Sequence, residues 1–266
     1  MSVTVRLKPV PARQGLAWVR EGFRNFFRQP LGYTAIFSVV GVAVLLLLQI
    51  PLVGAFAALA LMPAATLGFM AAGRAQRDGK LVHPGQLLQP WRDPAVRSAL
   101  LRLGVVYAIA AYVSAILISL FDGDAFETTF ETLAKGEAGG EALQSGAFQF
   151  SLLLRLGLAS LMSLVFWHAP ALVAWNHQPL AKALFASTLA CWRALGAYAL
   201  MGAAWFGVLM LFMTLAQIFF VLIGNPQGVF LAAIPAGLMF STAFYASLFA
   251  TYADSFETEA AAPIDN

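Results

Sequence analysis

Four polar side chains in otherwise apolar segments are the residues of this sequence best suited to chemistry: Arg155, Gln49, Gln149 and Gln217. Each falls in the outer half of an apolar segment, and Arg155 lies about seven residues, or roughly 10 Å, inside its own. A guanidinium among amides in such a place predicts a site for an anionic headgroup or a small anion. The alternative is that Arg155 extends outward and pairs with an acidic loop.

Other reactive side chains are few and show no catalytic or metal-binding pattern. His168 and His177 are nine residues apart, which is not a ligand spacing on one helix, and His83 and Cys191 lie apart from them. The sequence has no Cys-x-x-Cys, His-Glu-x-x-His, Walker, Rossmann or Gly-x-Ser-x-Gly motif. We therefore expect no metal, no cofactor and no enzymatic activity.

The elements that position these residues are membrane-spanning helices. Sixty per cent of the 266 residues are apolar and 11% are charged, against roughly 25% charged in an average soluble domain. No charged residue occurs between Ala194 and Ala253, a stretch long enough to cross a bilayer twice. The chain is therefore predicted to be an integral membrane protein of the all-α class, because a lipid-exposed backbone must satisfy its own hydrogen bonds.

Six spans are expected, arranged as three helical hairpins within a domain covering 31–253. A basic segment, 1–30, precedes them and an acidic cytoplasmic tail, 254–266, follows. The predicted spans are about 31–50, 53–73, 96–120, 148–175, 195–223 and 228–251. They contain no Asp or Glu, which argues against an ion-coupled pump.

Basic residues predict the orientation. They concentrate in the segments 1–29, 74–97 and 182–193, whereas the loop 121–147 has one lysine against six carboxylates. The positive-inside rule then places both termini in the cytoplasm. The net charge of +3 reflects residues that flank spans, so no nucleic-acid partner is expected.

Amphipathic segments precede the hairpins on the cytoplasmic side. In the first, apolar residues share one face at helical spacing (Leu16, Val19, Phe23, Phe26 and Phe27), with Trp18 at its border. The basic residues on the other face are Arg13, Arg20, Arg24 and Arg28. A basic helix of this kind is predicted to lie among the headgroups and to contact anionic lipids of the cytoplasmic leaflet. The segments 81–94 and 179–193 are weaker examples.

Small residues predict how the helices pack. They recur every four residues along span two, at Ala60, Ala64, Gly68 and Ala72, and along span five, at Ala199, Ala203 and Gly207. Such stripes let helix backbones approach closely. Span two is therefore expected at the centre of the bundle.

A weak threefold repeat is also visible. The second helix of each hairpin carries a Pro-Ala pair, at Pro63-Ala64, Pro170-Ala171 and Pro235-Ala236. Internal repeats are common in transporters. The alternative is chance, because proline and alanine are frequent in membrane helices.

The opening VPARQGLAWVREGFRNFFRQPL and the later IPLVGAFAALALMPAATLGFMAA resemble a family of uncharacterised proteobacterial inner-membrane proteins with six helices. The resemblance is best over about residues 9–75 and implies no catalytic residue. A fainter resemblance in hairpin pattern is to the membrane domain joined to some glycerophosphodiester phosphodiesterases. This chain lacks their soluble hydrolase domain, so that catalysis is not implied.

Two hypotheses for function arise, with a membrane enzyme as a third and weaker one. The first is a non-enzymatic component that organises the membrane or binds a partner, either another membrane protein or a second copy of itself. The alternative is a transporter or lipid-handling protein for an amphipathic or anionic solute, using the region of Arg155. A cleft open to lipid would favour the alternative, and a closed bundle would favour the first.

Overall fold

A computed structural model describes residues 5–122, 125–134, 145–225 and 228–258. Within these residues, six helices are long and apolar enough to span a membrane: Pro30–Leu48, Gly54–Arg77, Pro94–Phe121, Gly146–Trp175, Leu195–Leu222 and Leu231–Ser255. The prediction of an all-α, six-span membrane protein is thereby confirmed.

The described elements succeed one another along the chain, with two 3-10 turns (Pro84–Leu87 and Gln89–Arg92) between α3 and α4. They are β1 (Val5–Leu7), α1 (Gln14–Arg28), α2 (Pro30–Leu48), α3 (Gly54–Arg77), α4 (Pro94–Asp122), α5 (Ala125–Ala134), α6 (Gly146–Phe166), α7 (Ala169–Trp175), α8 (Leu180–Arg193), α9 (Leu195–Leu222), α10 (Val229–Ser255) and β2 (Phe256–Thr258). The predicted second amphipathic segment is thus a pair of 3-10 turns, as its prolines dictate.

Helix α3 is the most buried of the six spans, as the small-residue stripe predicted. It packs against α2, α4 and α10. Gly104 of α4 lies so close to the Ala60 carbonyl of α3 that a β-carbon at this glycine would collide with it. The second predicted stripe does not pack in this way, because Ala199, Ala203 and Gly207 are exposed on α9.

Helix α1 packs on the last two spans, α9 and α10, and its buried face differs from the predicted one. Trp18, expected at the border, is 0% exposed, whereas Leu16 is 51% and Phe27 61% exposed. The reason is close approach: Gly22 faces the Ala243 carbonyl of α10, where no β-carbon would fit. The glycine side of α1 therefore lies against the bundle, and part of its apolar side faces outward.

The two ends of the described chain meet. Strands β1 and β2 pair antiparallel, with Arg6 opposite Glu257. The sixth span was predicted to end near residue 251, but α10 continues to Ser255 and leads directly into β2. Residues 254–258 of the predicted acidic tail are therefore structured, while 259–266 lie outside the described residues.

Asp254 fastens α10 to α1. One carboxylate oxygen of Asp254 accepts hydrogen bonds from Gln14 Nε2 at 2.7 Å and Trp18 Nε1 at 2.8 Å. Lys8 Nζ adds a bond to the Ala253 carbonyl at 3.3 Å. The amphipathic segment is consequently part of the bundle as well as part of its surface.

The three Pro-Ala pairs do not occupy equivalent places. Pro63 and Pro235 lie inside α3 and α10. The fourth span instead breaks at Trp167 and His168, and Pro170 lies in the first turn of α7, where its missing N–H costs nothing.

Candidate functional site

A cavity of about 520 Å³ lies between α4 and α6 and is backed by α3 and α10. We call it the α4–α6 cavity. Its walls are mainly apolar and include Ala111, Ala115, Ile118, Leu158, Ala159, Met162, Phe166, Phe244 and Leu248. Helix α6 packs mainly on α4, α5 and α8 rather than on α9 or α10. The gap between α6 and α10 forms the cavity.

The cavity is elongated along the helix axes. Its wall on α4 reaches from Tyr107 to Ser119, which is about 18 Å at the helical rise. Trp167 lies at the end nearer β1 and β2, and Arg155 and Glu127 line the opposite end. The cavity therefore has an apolar interior and a charged mouth on the face away from β1 and β2.

Arg155 is held by three kinds of contact. Its Nη2 donates to both carboxylate oxygens of Glu127, at 2.7 and 2.9 Å. Its Nε donates to Ser151 Oγ at 3.2 Å, and its guanidinium lies 4.4 Å from the centre of the Phe126 ring. This geometry is the outward pairing with the acidic loop, the alternative offered by the sequence.

Helix α5 carries Glu127 to this position. Phe126 stacks on Phe148 of α6, with ring centres 5.7 Å apart and planes 10° apart. The stacked rings and the ion pair together lay α5 against the mouth of the cavity.

The three glutamines of the predicted cluster lie outside the lining of the α4–α6 cavity. Gln49, Gln149 and Gln217 are exposed on their helices, and none lines the cavity. The cavity lined by Arg155 therefore does not include these amides, and a glutamine cluster around Arg155 stays a prediction.

The polar groups that do line the cavity are hydroxyls, which were not predicted from the sequence. They include Thr66, Ser114, Ser119, Ser163 and the phenols of Tyr107 and Tyr245. Ser114 and Ser119 donate to carbonyls of their own helix, Ala110 and Ile116. Such local bonding makes serine ordinary in membrane helices, so no sequence signal distinguished these residues.

A second polar cluster lies at the other end of the bundle, around the break in the fourth span. Trp167 Nε1 donates to Thr251 Oγ1 at 3.0 Å, and His168 Nε2 is 2.8 Å from Tyr198 Oη. Cys191 is nearby and buried, and burial raises the pKa of its thiol to about 12. No three His, Cys, Asp or Glu side chains group to hold a metal ion in the described part of the chain.

Comparison with known proteins identifies the family. The chain is 32% identical over 255 residues to a probable inner membrane protein of Burkholderia thailandensis, and the match covers 95% of this chain and 94% of that protein. The chain belongs to the same family of inner membrane proteins. With its six spans, it is a multi-pass inner membrane protein. No family model matches it, and no solved structure matches it.

The predicted headgroup contacts of this inner membrane protein are all on its surface. Arg13, Arg20, Arg24 and Arg28 are exposed along α1. Arg24 forms an ion pair of 3.8 Å with Glu21, one turn earlier. The basic side of α1 thus faces away from the bundle, as the amphipathic pattern predicted.

Proposed function

We propose that this inner membrane protein binds an amphiphilic molecule, a lipid or a lipid-like solute, in the α4–α6 cavity without transforming it chemically. The observation that carries the proposal is the elongated apolar cavity with one ion pair at its mouth. Its volume, about 520 Å³, is within the range of ligand sites, roughly 300–1,000 Å³.

The chemistry of the walls matches an amphiphile. The apolar side chains between Ala111 and Phe166 would surround a hydrocarbon chain, and each buried methylene contributes about 0.8 kcal/mol. At the mouth, an anionic headgroup would compete with Glu127 for the guanidinium of Arg155. A closed bundle would have favoured a purely organising role, whereas this cavity supports the lipid-handling alternative.

Native mass spectrometry of the full chain, purified in mild detergent, tests the proposal. We expect bound amphiphile on the wild-type protein and loss of most of it in Ala159→Phe, which fills the cavity. Ala203→Phe makes the same change on the exposed surface of α9 and should retain the ligand. Equal occupancy in the two variants, or no bound amphiphile in the wild type, would contradict the proposal.

We also propose that both termini are cytoplasmic and that α1 contacts anionic lipids of the inner leaflet. The pairing of β1 with β2 supports a common side for the two ends, and the basic loops support the cytoplasm. A fluorescent protein that matures only in the cytoplasm should give fluorescence when it is fused to the N-terminus and also when it is fused to the C-terminus. Loss of fluorescence in either fusion protein would contradict this orientation.

A further inference from the structure

A second cavity, of about 320 Å³, opens near strands β1 and β2. We call it the Arg74 pocket. It lies between the last turn of α3, the end of α7 and the end of α10. Its lining includes Arg74, Trp175, Asn176, Phe249, Tyr252 and Phe256. It shares no lining residue with the α4–α6 cavity, so a ligand bound in the Arg74 pocket would be independent of the proposed function.

Arg74 is positioned by an aromatic wall. Its guanidinium carbon lies 5.3 Å from the centre of the Trp175 ring. Trp175 in turn packs edge-on against Tyr252 and Phe249, at 5.1 and 6.0 Å between ring centres. Stacking on an indole holds the planar guanidinium in place and leaves its N–H groups free to donate.

Asn176 supplies a second, pre-oriented donor. It is 0% exposed, and its Oδ1 accepts a hydrogen bond of 2.6 Å from Tyr252 Oη. This bond fixes the amide with oxygen toward the tyrosine. The Nδ2 group then has no partner among the described residues, although a buried amide nitrogen left unpaired costs about 1–3 kcal/mol.

Arg74 is the one charged side chain among the described lining residues of the pocket. None of its described lining residues is acidic, and Lys8 Nζ binds the carbonyl of Ala253 in the pocket wall. The nearby carboxylate of Asp254 is engaged by Gln14 and Trp18. A buried donor without a partner, a guanidinium held against an aromatic ring and a lining without a carboxylate together favour an anionic ligand.

We propose that the Arg74 pocket binds a phosphate group, with Arg74 and the Asn176 amide nitrogen as donors. Arginine pairs with phosphate through two parallel hydrogen bonds, and basic pockets between membrane helices at a headgroup surface recognise lipid headgroups. The aromatic wall would receive whatever apolar group the phosphate carries. The phosphate belongs either to a lipid headgroup or to a soluble compound.

Fluorescence titration of the purified full chain tests this assignment, because Trp175 lines the pocket. Sodium phosphate is titrated against sodium sulfate at matched ionic strength, and dihexanoyl phosphatidylglycerol is titrated separately. The Trp175 signal is isolated by difference from Trp175→Phe. Saturable binding of phosphatidylglycerol alone assigns a lipid headgroup, and tighter binding of inorganic phosphate assigns a soluble phosphate; both support the proposal.

Arg74→Gln should weaken binding at least tenfold. Arg77→Gln, one turn away over Phe249 and outside the pocket lining, is the matched control and should bind as the wild type does. Equal weakening in both variants would mean general surface attraction, and failure of the wild type to bind either probe would mean an unoccupied pocket; each result would overturn the proposal. Both arginines are exposed, so size-exclusion profiles of the variants should match the wild type.

Discussion

Replacing Asp254 by alanine should destabilise the protein by about 2–3 kcal/mol. A hydrogen bond to a charged acceptor contributes about 1.5–3 kcal/mol, and an unsatisfied buried donor costs about 1–3 kcal/mol. Most of the effect comes from Trp18, which is fully buried and loses the acceptor of its indole N–H. Gln14 is half-buried and can turn to water, so its share is small.

The matched variant Asp254→Asn separates charge from connectivity. Both donors reach the same carboxylate oxygen of Asp254, so one amide oxygen in its place can accept both bonds. The expected loss is then about 1 kcal/mol, the difference between a charge-assisted and a neutral bond. Asp78→Ala, on the exposed end of α3, should change stability by less than about 0.5 kcal/mol.

The assay is equilibrium unfolding in mixed detergent micelles, with the free energy of unfolding compared among variants. A double-mutant cycle with Trp18→Phe, which keeps an aromatic ring in place but removes the N–H, measures the coupling directly. We expect a coupling of about 1–2 kcal/mol, the contribution of one charge-assisted hydrogen bond. A loss below about 0.5 kcal/mol in Asp254→Ala, or a coupling near zero, would refute the view that this bond fastens α1 to α10.

Two further predictions concern packing and accessibility. Gly104→Val should abolish the monodisperse folded species in size-exclusion chromatography, because the β-carbon of the new valine would collide with the backbone of α3. Gly157→Val has open space around the substituted residue and should give the same profile as the wild type. Equal profiles for the two variants would contradict the close packing of α4 on α3. Cys191 should resist labelling by maleimide at neutral pH in the folded protein, because it is buried and burial raises the pKa of its thiol to about 12. It should react fully after denaturation in dodecyl sulfate. Rapid labelling of the folded protein would contradict the burial of Cys191.

The span count was predictable because it depends on composition alone. A run without charge from Ala194 to Ala253 is long enough to cross a bilayer twice, and the turn near Gly224 divides it. The central place of α3 was also predictable, because small residues at every fourth position indicate that neighbouring helix backbones approach closely. Properties that each helix carries in its own sequence could thus be derived.

Features that depend on distant parts of the chain could not be derived. The buried side of α1 is chosen by Ala243 and its neighbours on α10, far along the sequence. Strands as short as β1 and β2 exist only through their mutual pairing. The sequence identified Arg155 as a charged residue within a span, but which carboxylate it pairs with depends on the position of α5. The hydroxyl groups that line the cavity could not be singled out, because serine and threonine are common in membrane helices.

The packing of α1 on the last hairpin has a consequence for biosynthesis. Helix α1 precedes α9 and α10 by well over a hundred residues, so it leaves the ribosome before the two helices that cover it. Until then the indole of Trp18 has neither its apolar neighbours nor its acceptor, and the long loop this contact closes makes it a late event in folding. The contact of α1 with the bundle therefore forms only after α9 and α10 are in the bilayer, and a chain interrupted before that point leaves the Trp18 face of α1 uncovered.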